Sequence, residues 1–281
     1  MVRRRGSGPP SSAPFPHLGP TNVPIPIATG TARLVPETDG GVLIEVNGVP
    51  SSYQHPDPRH LVFEYMRWMQ TALRVHLAAT APGAGRLEIA HLGGGGCSLP
   101  RALAAEHPAA RQIVVELDAD LAEHARTWFD LPRSPALRIR AEDAAVALAS
   151  WREARFGVLI RDVFAGAETP LPLRGTAAAA HAARVLRDDG VYLVNSAGRP
   201  SSRAVLADEL VTLRTAFAHI GVIAENAVLA GKRRGNSVLV ASQQPLADGI
   251  DRALRSDAVA VRLVGEADLA RLAASGRVLA D

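Results

Sequence analysis

Cysteine and lysine each occur once in this chain, as Cys97 and Lys232, and Phe, Trp and Tyr together make up only 4% of its 281 residues. A single cysteine excludes an intramolecular disulfide and a cysteine-based zinc site, and it fits a reducing cytoplasm. Scarce aromatics leave little to stack nucleic-acid bases on, and the formal charge of +3 rests partly on "MVRRR" at the start and "GKRRG" at 231–235, with acidic residues interspersed elsewhere. No nucleic-acid partner is expected. With lysine nearly absent, the many arginines reflect a compositional bias, and an arginine alone is weak evidence of a site. No apolar run reaches the roughly 18 residues of a membrane span, so no membrane partner is expected either. No histidines stand at the paired spacing of a metal site, and none is expected.

What is present is an ordinary globular composition, 47% hydrophobic, in a chain long enough for one full core with attachments. The first thirty residues carry arginines as a signal peptide would, but "GPPSSAPFPHLGPTNVPIP" breaks the apolar region with prolines. A disordered, Pro-rich tail is expected over residues 1–30. "TARLVPE" and "GVLIEVNGVPSS" flank "TDGG", a hairpin signal. From Pro58 to Ala79, Leu61, Tyr65, Trp68, Met69, Ala72 and Leu73 form one apolar helical stripe. Residues 31–85 are therefore expected to be a small N-terminal β-hairpin unit plus a helix.

From residue 86 strands and helices alternate: "RLEIAHL", Leu99 to His107, "RQIVVEL", Ala119 to Phe129, "ALRIRAED", Ala144 to Ala154, "FGVLIRDVF", Ala177 to Leu186, "GVYLVNS". Such alternation predicts right-handed crossovers and a parallel sheet covered on both faces. After a helix at Ser201 to His219, "GVIAENAVLAG" and "NSVLVAS" are joined too closely to run parallel. A closing antiparallel hairpin distinguishes the class I methyltransferase-type sheet from a dinucleotide-binding one. The expected fold is α/β: a doubly wound, Rossmann-like, mostly parallel seven-stranded sheet over residues 86–245, with a strand-helix extension at 246–281.

"HLGGGGCSLP" sets four glycines between a strand and a helix start, where bare backbone N–H groups can approach a ligand. About twenty residues on, Glu116 and Asp118 end the next strand, where a carboxylate can accept both hydroxyls of a ribose. Glu142 and Asp143 end the third strand and Asp162 the fourth, at the same edge of the sheet. Glycines and carboxylates together point to a nucleoside, with Gly93, Gly94, Gly95, Gly96, Glu116, Asp118, Glu142 and Asp143 as candidate binding residues. Each acid has an alternative role as cap of the following helix, Asp118 and Glu142 especially. Cys97 is read as a small residue rather than a nucleophile, and Arg161 as a surface residue.

With "VNGV", "FEY", "LGGGG", "VVELDADL", "AEDA", "GVLIRD" and "LRDDGVYLV" in this order, the chain resembles the spermidine synthase (polyamine aminopropyltransferase) family from about Gly41 to Ser242. The resemblance implies transfer of an aminopropyl group from decarboxylated S-adenosylmethionine to an amine. It also implies a homodimer, a nucleoside held by Gly93 to Gly95, Glu116 and Asp143, and removal of the amine's proton by Asp162 and Tyr65. Two departures stand out. The family's aspartate after the three glycines, which pairs with the donor's ammonium, is here Gly96; its second aspartate, three residues after the catalytic one, is here Ala165. Both losses count against efficient putrescine transfer, because a buried cation without a partner is costly. They also admit ordinary S-adenosylmethionine, whose carboxylate Gly96, Cys97 and Ser98 are expected to meet with N–H groups. The place of a glutamine in the family's substrate pocket is open among Ser51, Ser52 and Gln54. The alternatives are a methyltransferase and a non-catalytic nucleoside-binding module; a nicotinamide-dependent oxidoreductase fits the closing hairpin poorly.

Overall fold

The computed structural model describes residues 14–80, 86–166, 168–197 and 202–281, with only the backbone of Ser202. Residues 1–13 of the expected tail therefore lie outside the described residues. From Pro14 onward the tail expectation is corrected, because the segment carries apolar side chains that find cover. Phe15 packs edge-to-face on Phe129 at 5.2 Å, and Thr21 bridges to Leu34. β1 (Ile25–Ile27) pairs antiparallel with β2 (Gly30–Pro36). Pro26 is tolerated because β1 is an edge strand.

β3 (Val42–Val46) and β4 (Val49–Gln54) complete a four-stranded antiparallel sheet, so the expected hairpin is its central pair. Alternation along these strands buries Ala32, Leu34, Val42 and Ile44 on one face, against Leu121, Ala125 and Trp128 of α3 (Ala119–Trp128). α1 (Glu64–Thr80) begins later than the apolar spacing predicts but buries the expected stripe of Tyr65, Trp68, Met69, Ala72 and Leu73.

The main sheet comprises β5 (Glu88–Leu92), β6 (Arg111–Glu116), β7 (Leu137–Ala141), β8 (Phe156–Arg161), β9 (Leu186–Ser196), β10 (His219–Glu225), β11 (Ser237–Ser242) and β12 (Val261–Leu263). Their order is β12-β10-β11-β9-β8-β5-β6-β7. The run β9 to β7 is parallel throughout, and β11 returns antiparallel between β9 and β10, as the closing hairpin predicted. The sheet has eight strands rather than seven, since the last strand adds to the edge of β10 over three residue pairs. One face is covered by α4 (Ala144–Ser150), α5 (Thr176–Val185), α6 (Ser202–Leu213) and α9 (Glu266–Ala273); the other by α1, α2 (Ser98–Glu106) and α8 (Ile250–Leu254). α7 (Asn226–Leu229) interrupts the closing hairpin. No helix among the described residues is long and apolar enough to cross a membrane.

This topology fixes where a ligand can sit. From β5 the chain steps one way to β6 and β7, then returns to the other side as β8 and β9. In open α/β sheets a ligand sits at such a reversal, beyond the carboxyl ends of the strands, and the residues that end β5, β6, β7 and β8 lie along that edge.

Candidate active site

Gly93 ends β5 where the chain passes against the backbone of Asp162: a Cβ at Gly93 would lie 2.2 Å from the Asp162 carbonyl oxygen, and its φ is +85°. Glycine is thus required by close backbone approach, and the approach locks the β5 and β8 ends together through Asp162 N–H to Leu92 O at 2.9 Å.

The loop does not offer its N–H groups outward, as the sequence leads one to expect. Gly93 N–H bonds Val115 O. Gly94 and Gly95 N–H both donate to Glu116 Oε2, at 3.0 and 2.8 Å. Gly96 N–H donates to Ser52 Oγ at 2.8 Å, and Cys97 N–H to Gly94 O at 2.7 Å. The reason is that β4 and the end of β6 close over the loop from two sides. The N–H groups of Gly96 and Cys97 are therefore engaged within the structure, which corrects the expectation for these two of the three residues. Cys97 itself is buried, and burial followed by the Glu116 charge pushes its thiol up to about 12, so it stays protonated and packs as a small core residue.

The candidate acids take different roles. Glu116 lies over the glycine loop, its Oε1 accepting Asp118 N–H at 3.0 Å. Asp118 is 2% exposed and engaged in structure: it accepts Leu121 N–H at 2.8 Å as the cap of α3, and Ala28 N–H, Thr29 N–H and Thr29 Oγ1 from the β1–β2 turn. The ligand role expected of Asp118 is replaced by this cap, for the physical reason that the N-terminal sheet, unforeseen at residues 25–30, supplies it with donors. Burial pushes its carboxyl upward, but the bonds from Leu121, Thr29 and Ala28 outweigh that and hold it below the ordinary aspartate value. Asp143 caps α4 through Oδ1, with bonds to Ala145 and Val146 N–H, and is exposed. Glu142 pairs with Arg140 at 2.7 Å on the same face of β7.

At the end of β8, Asp162 gathers what the sequence places far apart. Tyr65 of α1 donates its hydroxyl to Oδ2 at 2.8 Å, and Asn195 of β9 donates Nδ2 to Oδ1 at 2.9 Å. Burial raises the Asp162 carboxyl above its ordinary value, while the bonds from Asn195 and Tyr65 and the Arg161 charge pull the other way. Burial and the Asp162 charge raise Tyr65 well above a free tyrosine, so it keeps its proton and acts as donor. Asn195 was not expected from the sequence; the one signal was its place at a strand end on the crevice edge. Its Oδ1 is buried without a partner among the described residues.

Arg161 is buried at 2% exposure rather than at the surface, which corrects the expectation. It points to the opposite face from Asp162, pairs with buried Glu209 of α6, and bonds Leu173 O and Asn195 O. It thereby ties the strand ends on either side of Asp162 to α6. Among the described residues no group of three His, Cys, Asp or Glu side chains is gathered as a metal site requires.

No protein-family model matches the chain. A polyamine aminopropyltransferase of Vibrio vulnificus (strain CMCP6) is 27% identical over 167 residues, 59% of this chain and 52% of that protein, so the match spans about half the relative's length. The crystal structure of a probable spermidine synthase from Corynebacterium glutamicum ATCC 13032 is 35% identical, covers 94% of this chain and 97% of its own, and superposes with a TM-score of 0.86. The chain belongs to the spermidine synthase family. The wider fold is shared with human methyltransferase-like protein 13 in complex with SAH, 18% identical with a TM-score of 0.55 over 75% of this chain and 90% of that one.

At the two positions where the resemblance implies aspartates, the chain carries Gly96 and Ala165. Gly96 is buried, and a Cβ there would sit 2.2 Å from Ile44 Cδ1 and 2.8 Å from Ser52 Cβ, so the N-terminal sheet fills the space an acidic side chain would need. Ala165 is exposed, and its N–H donates to Glu168 O at 2.8 Å.

Proposed function

We propose that the protein is a transferase that binds an adenosyl-sulfonium donor, S-adenosylmethionine or its decarboxylated form, and moves an aminopropyl or methyl group to an amine-type acceptor. The observation that carries this reading is the Tyr65–Asp162–Asn195 constellation facing the glycine loop across the reversal of strand order. Further support comes from apolar groups at the same edge. Leu117, next to Glu116, and Val146, in the first turn after Asp143, are among the few large apolar side chains left exposed, at 64% and 60%. Apolar side chains flanking carboxylates suit a purine base and its sugar.

In this reading Glu116 turns a carboxylate oxygen to the ribose hydroxyls while keeping Gly94 and Gly95 in place, and Asp143 contributes Oδ2, which is not used in capping, to the base. The half-buried Gly93 to Gly95 offer the sugar a surface without side chains rather than N–H groups, and Gly96 lies buried behind them. Asp162 takes the proton of the incoming ammonium. The freed nitrogen lone pair then forms a bond to a carbon next to the sulfonium, and the breaking carbon–sulfur pair returns to sulfur, leaving a neutral thioether. Tyr65 and Asn195 hold the Asp162 carboxylate in one orientation, and its raised proton affinity suits it to accept the proton. Glu142 and Asp118 stand outside this chemistry. Putrescine is a poor candidate acceptor because no carboxylate stands at position 165 for its second ammonium. A cytoplasmic homodimer belongs to the same reading, and light scattering on the purified chain checks the assembly.

Calorimetry tests the binding half. Methylthioadenosine or S-adenosylmethionine should bind, and Glu116→Ala should weaken it by about tenfold or more, the worth of hydrogen bonds to a charged group. Absence of binding by all adenosyl ligands would end the reading. Asp162→Asn should abolish turnover with amines while leaving nucleoside affinity within about twofold; unchanged turnover would remove Asp162 from the chemistry.

A further inference from the structure

Arg161 and Glu209 form an ion pair in which each side chain is 2% exposed, beneath α6 in a core that includes Leu173, Leu206 and Leu210. The pair is only partly satisfied there, since Arg161 Nε, Glu209 Oε2 and nearby Ser196 Oγ have no partner among the described residues. A buried ion pair of this kind contributes no more stability than apolar side chains of similar volume. What it does hold is backbone. Arg161 Nη1 donates to Leu173 O at 2.8 Å and Nη2 to Asn195 O at 3.3 Å, while Glu209 Oε1 accepts from Nη2 on the α6 side. One planar guanidinium thus joins three segments: the end of β8, the end of β9 and the single helical turn Leu171–Leu173.

We propose that Arg161 and Glu209 are positioning residues for the proton acceptor: from behind the sheet they fix the end of β9 so that the Asn195 amide presents its NH2 to Asp162. The proposal rests on the reading of Asp162 above and adds to it two residues that touch no substrate. Asp162 Oδ1 accepts Asn195 Nδ2 at 2.9 Å, whereas Asn195 Oδ1 has no partner among the described residues. The amide is therefore not fixed from its oxygen end. Its backbone end is fixed, by Arg161 at Asn195 O. An amide turned over would set Oδ1 against the carboxylate, acceptor against acceptor. The groups that act on Asp162 are Asn195 on β9, Tyr65 on α1 and the Arg161 charge on its own strand, and all three favour the charged carboxylate against burial.

The proposal is tested by NMR titration of the Asp162 carboxyl in full-length protein labelled at aspartate carboxyl carbons, with the signal assigned from Asp162→Asn. This readout needs no acceptor. Arg161→Met with Glu209→Leu replaces the pair by apolar groups, and Arg161→Lys keeps a cation opposite Glu209 but loses the fork. Each should raise the Asp162 titration by about one pH unit or more, the worth of a lost bond to a charged group. Each should also lower kcat with an amine acceptor by about tenfold, while methylthioadenosine affinity stays within about twofold and verifies the fold. Glu209→Gln keeps an acceptor for Arg161 and should bring the titration back to within about 0.3 unit of the parent. If the double variant fails to fold, Arg161→Lys decides. A titration within about 0.3 unit of the parent in the folded variants overturns the positioning role. If Asp162→Asn abolishes turnover while these variants turn over like the parent, the positioning role alone fails; if Asp162→Asn leaves turnover unchanged, the reading of Asp162 fails.

Discussion

Removing the Asp118 carboxylate separates structure from ligand binding at this edge of the sheet. In Asp118→Ala the cap of α3 is lost, at about 1 kcal/mol. Three further donors, Ala28 N–H, Thr29 N–H and Thr29 Oγ1, lose a charged acceptor. Bonds to a charged group are worth about 1.5–3 kcal/mol each, but the β1–β2 turn can relax toward water, so about 2 kcal/mol for the three is a reasonable sum. The total is about 3 kcal/mol, which for a chain of this size lowers Tm by roughly 6 °C or more. Asp118→Asn keeps one acceptor oxygen and should lose about half as much. Thermal melts followed by circular dichroism, paired with methylthioadenosine titration of the folded variant, give both readouts. Stability should fall while affinity stays within about twofold, whereas Glu116→Ala should lose nucleoside affinity along with the three backbone bonds it accepts. A Tm shift under about 2 °C, or a loss of nucleoside affinity with stability intact, would refute the division of labour between these two acids.

Three more expectations follow from buried polar groups. Burial draws the His91 imidazole down to about 4, against which its bond to Gln112 Oε1 acts only in part. The unfolded chain then binds a proton that the folded chain refuses, so stability should be level above pH 7 and fall below about pH 6.5 toward pH 4, by up to about 1.4 kcal/mol per pH unit; urea titrations at pH 7, 6 and 5 check it, and a flat profile contradicts it. Arg161→Ala strands Glu209 without its counter-ion and should cost about 3–5 kcal/mol in denaturant unfolding, whereas Arg161→Met with Glu209→Leu should recover most of that. Tyr65→Phe should cut turnover by about tenfold or more at unchanged nucleoside affinity, and its acid limb should shift, because Asp162 loses a donor that stabilises its charged form.

The strand-helix rhythm, the closing hairpin and the glycine turn were legible because each is local: apolar period, turn residues and spacing lie within a few positions. The meeting of Tyr65 with Asp162 came from family resemblance, since their sequence separation hides it from any local pattern. What was hidden depends on tertiary closure. Asp118 could be read as cap or ligand, and the donors that decide it arrive from Ala28 and Thr29, in a segment whose prolines disguised an edge strand. Gly96 reads as a missing acid, but only the placement of Ile44 and Ser52 explains why no side chain fits. Arg161 could not be told from its many exposed counterparts without Glu209, forty-eight positions away.

The central claim is that a nucleoside sits over the glycine loop with its ribose on Glu116. A crystal structure of the full chain with methylthioadenosine tests it most directly. Both ribose hydroxyls should lie within about 3 Å of the Glu116 carboxylate, with the base between Leu117 and Val146, near Asp143. A nucleoside bound elsewhere, or ribose hydroxyls out of reach of Glu116 at saturating ligand, would contradict it.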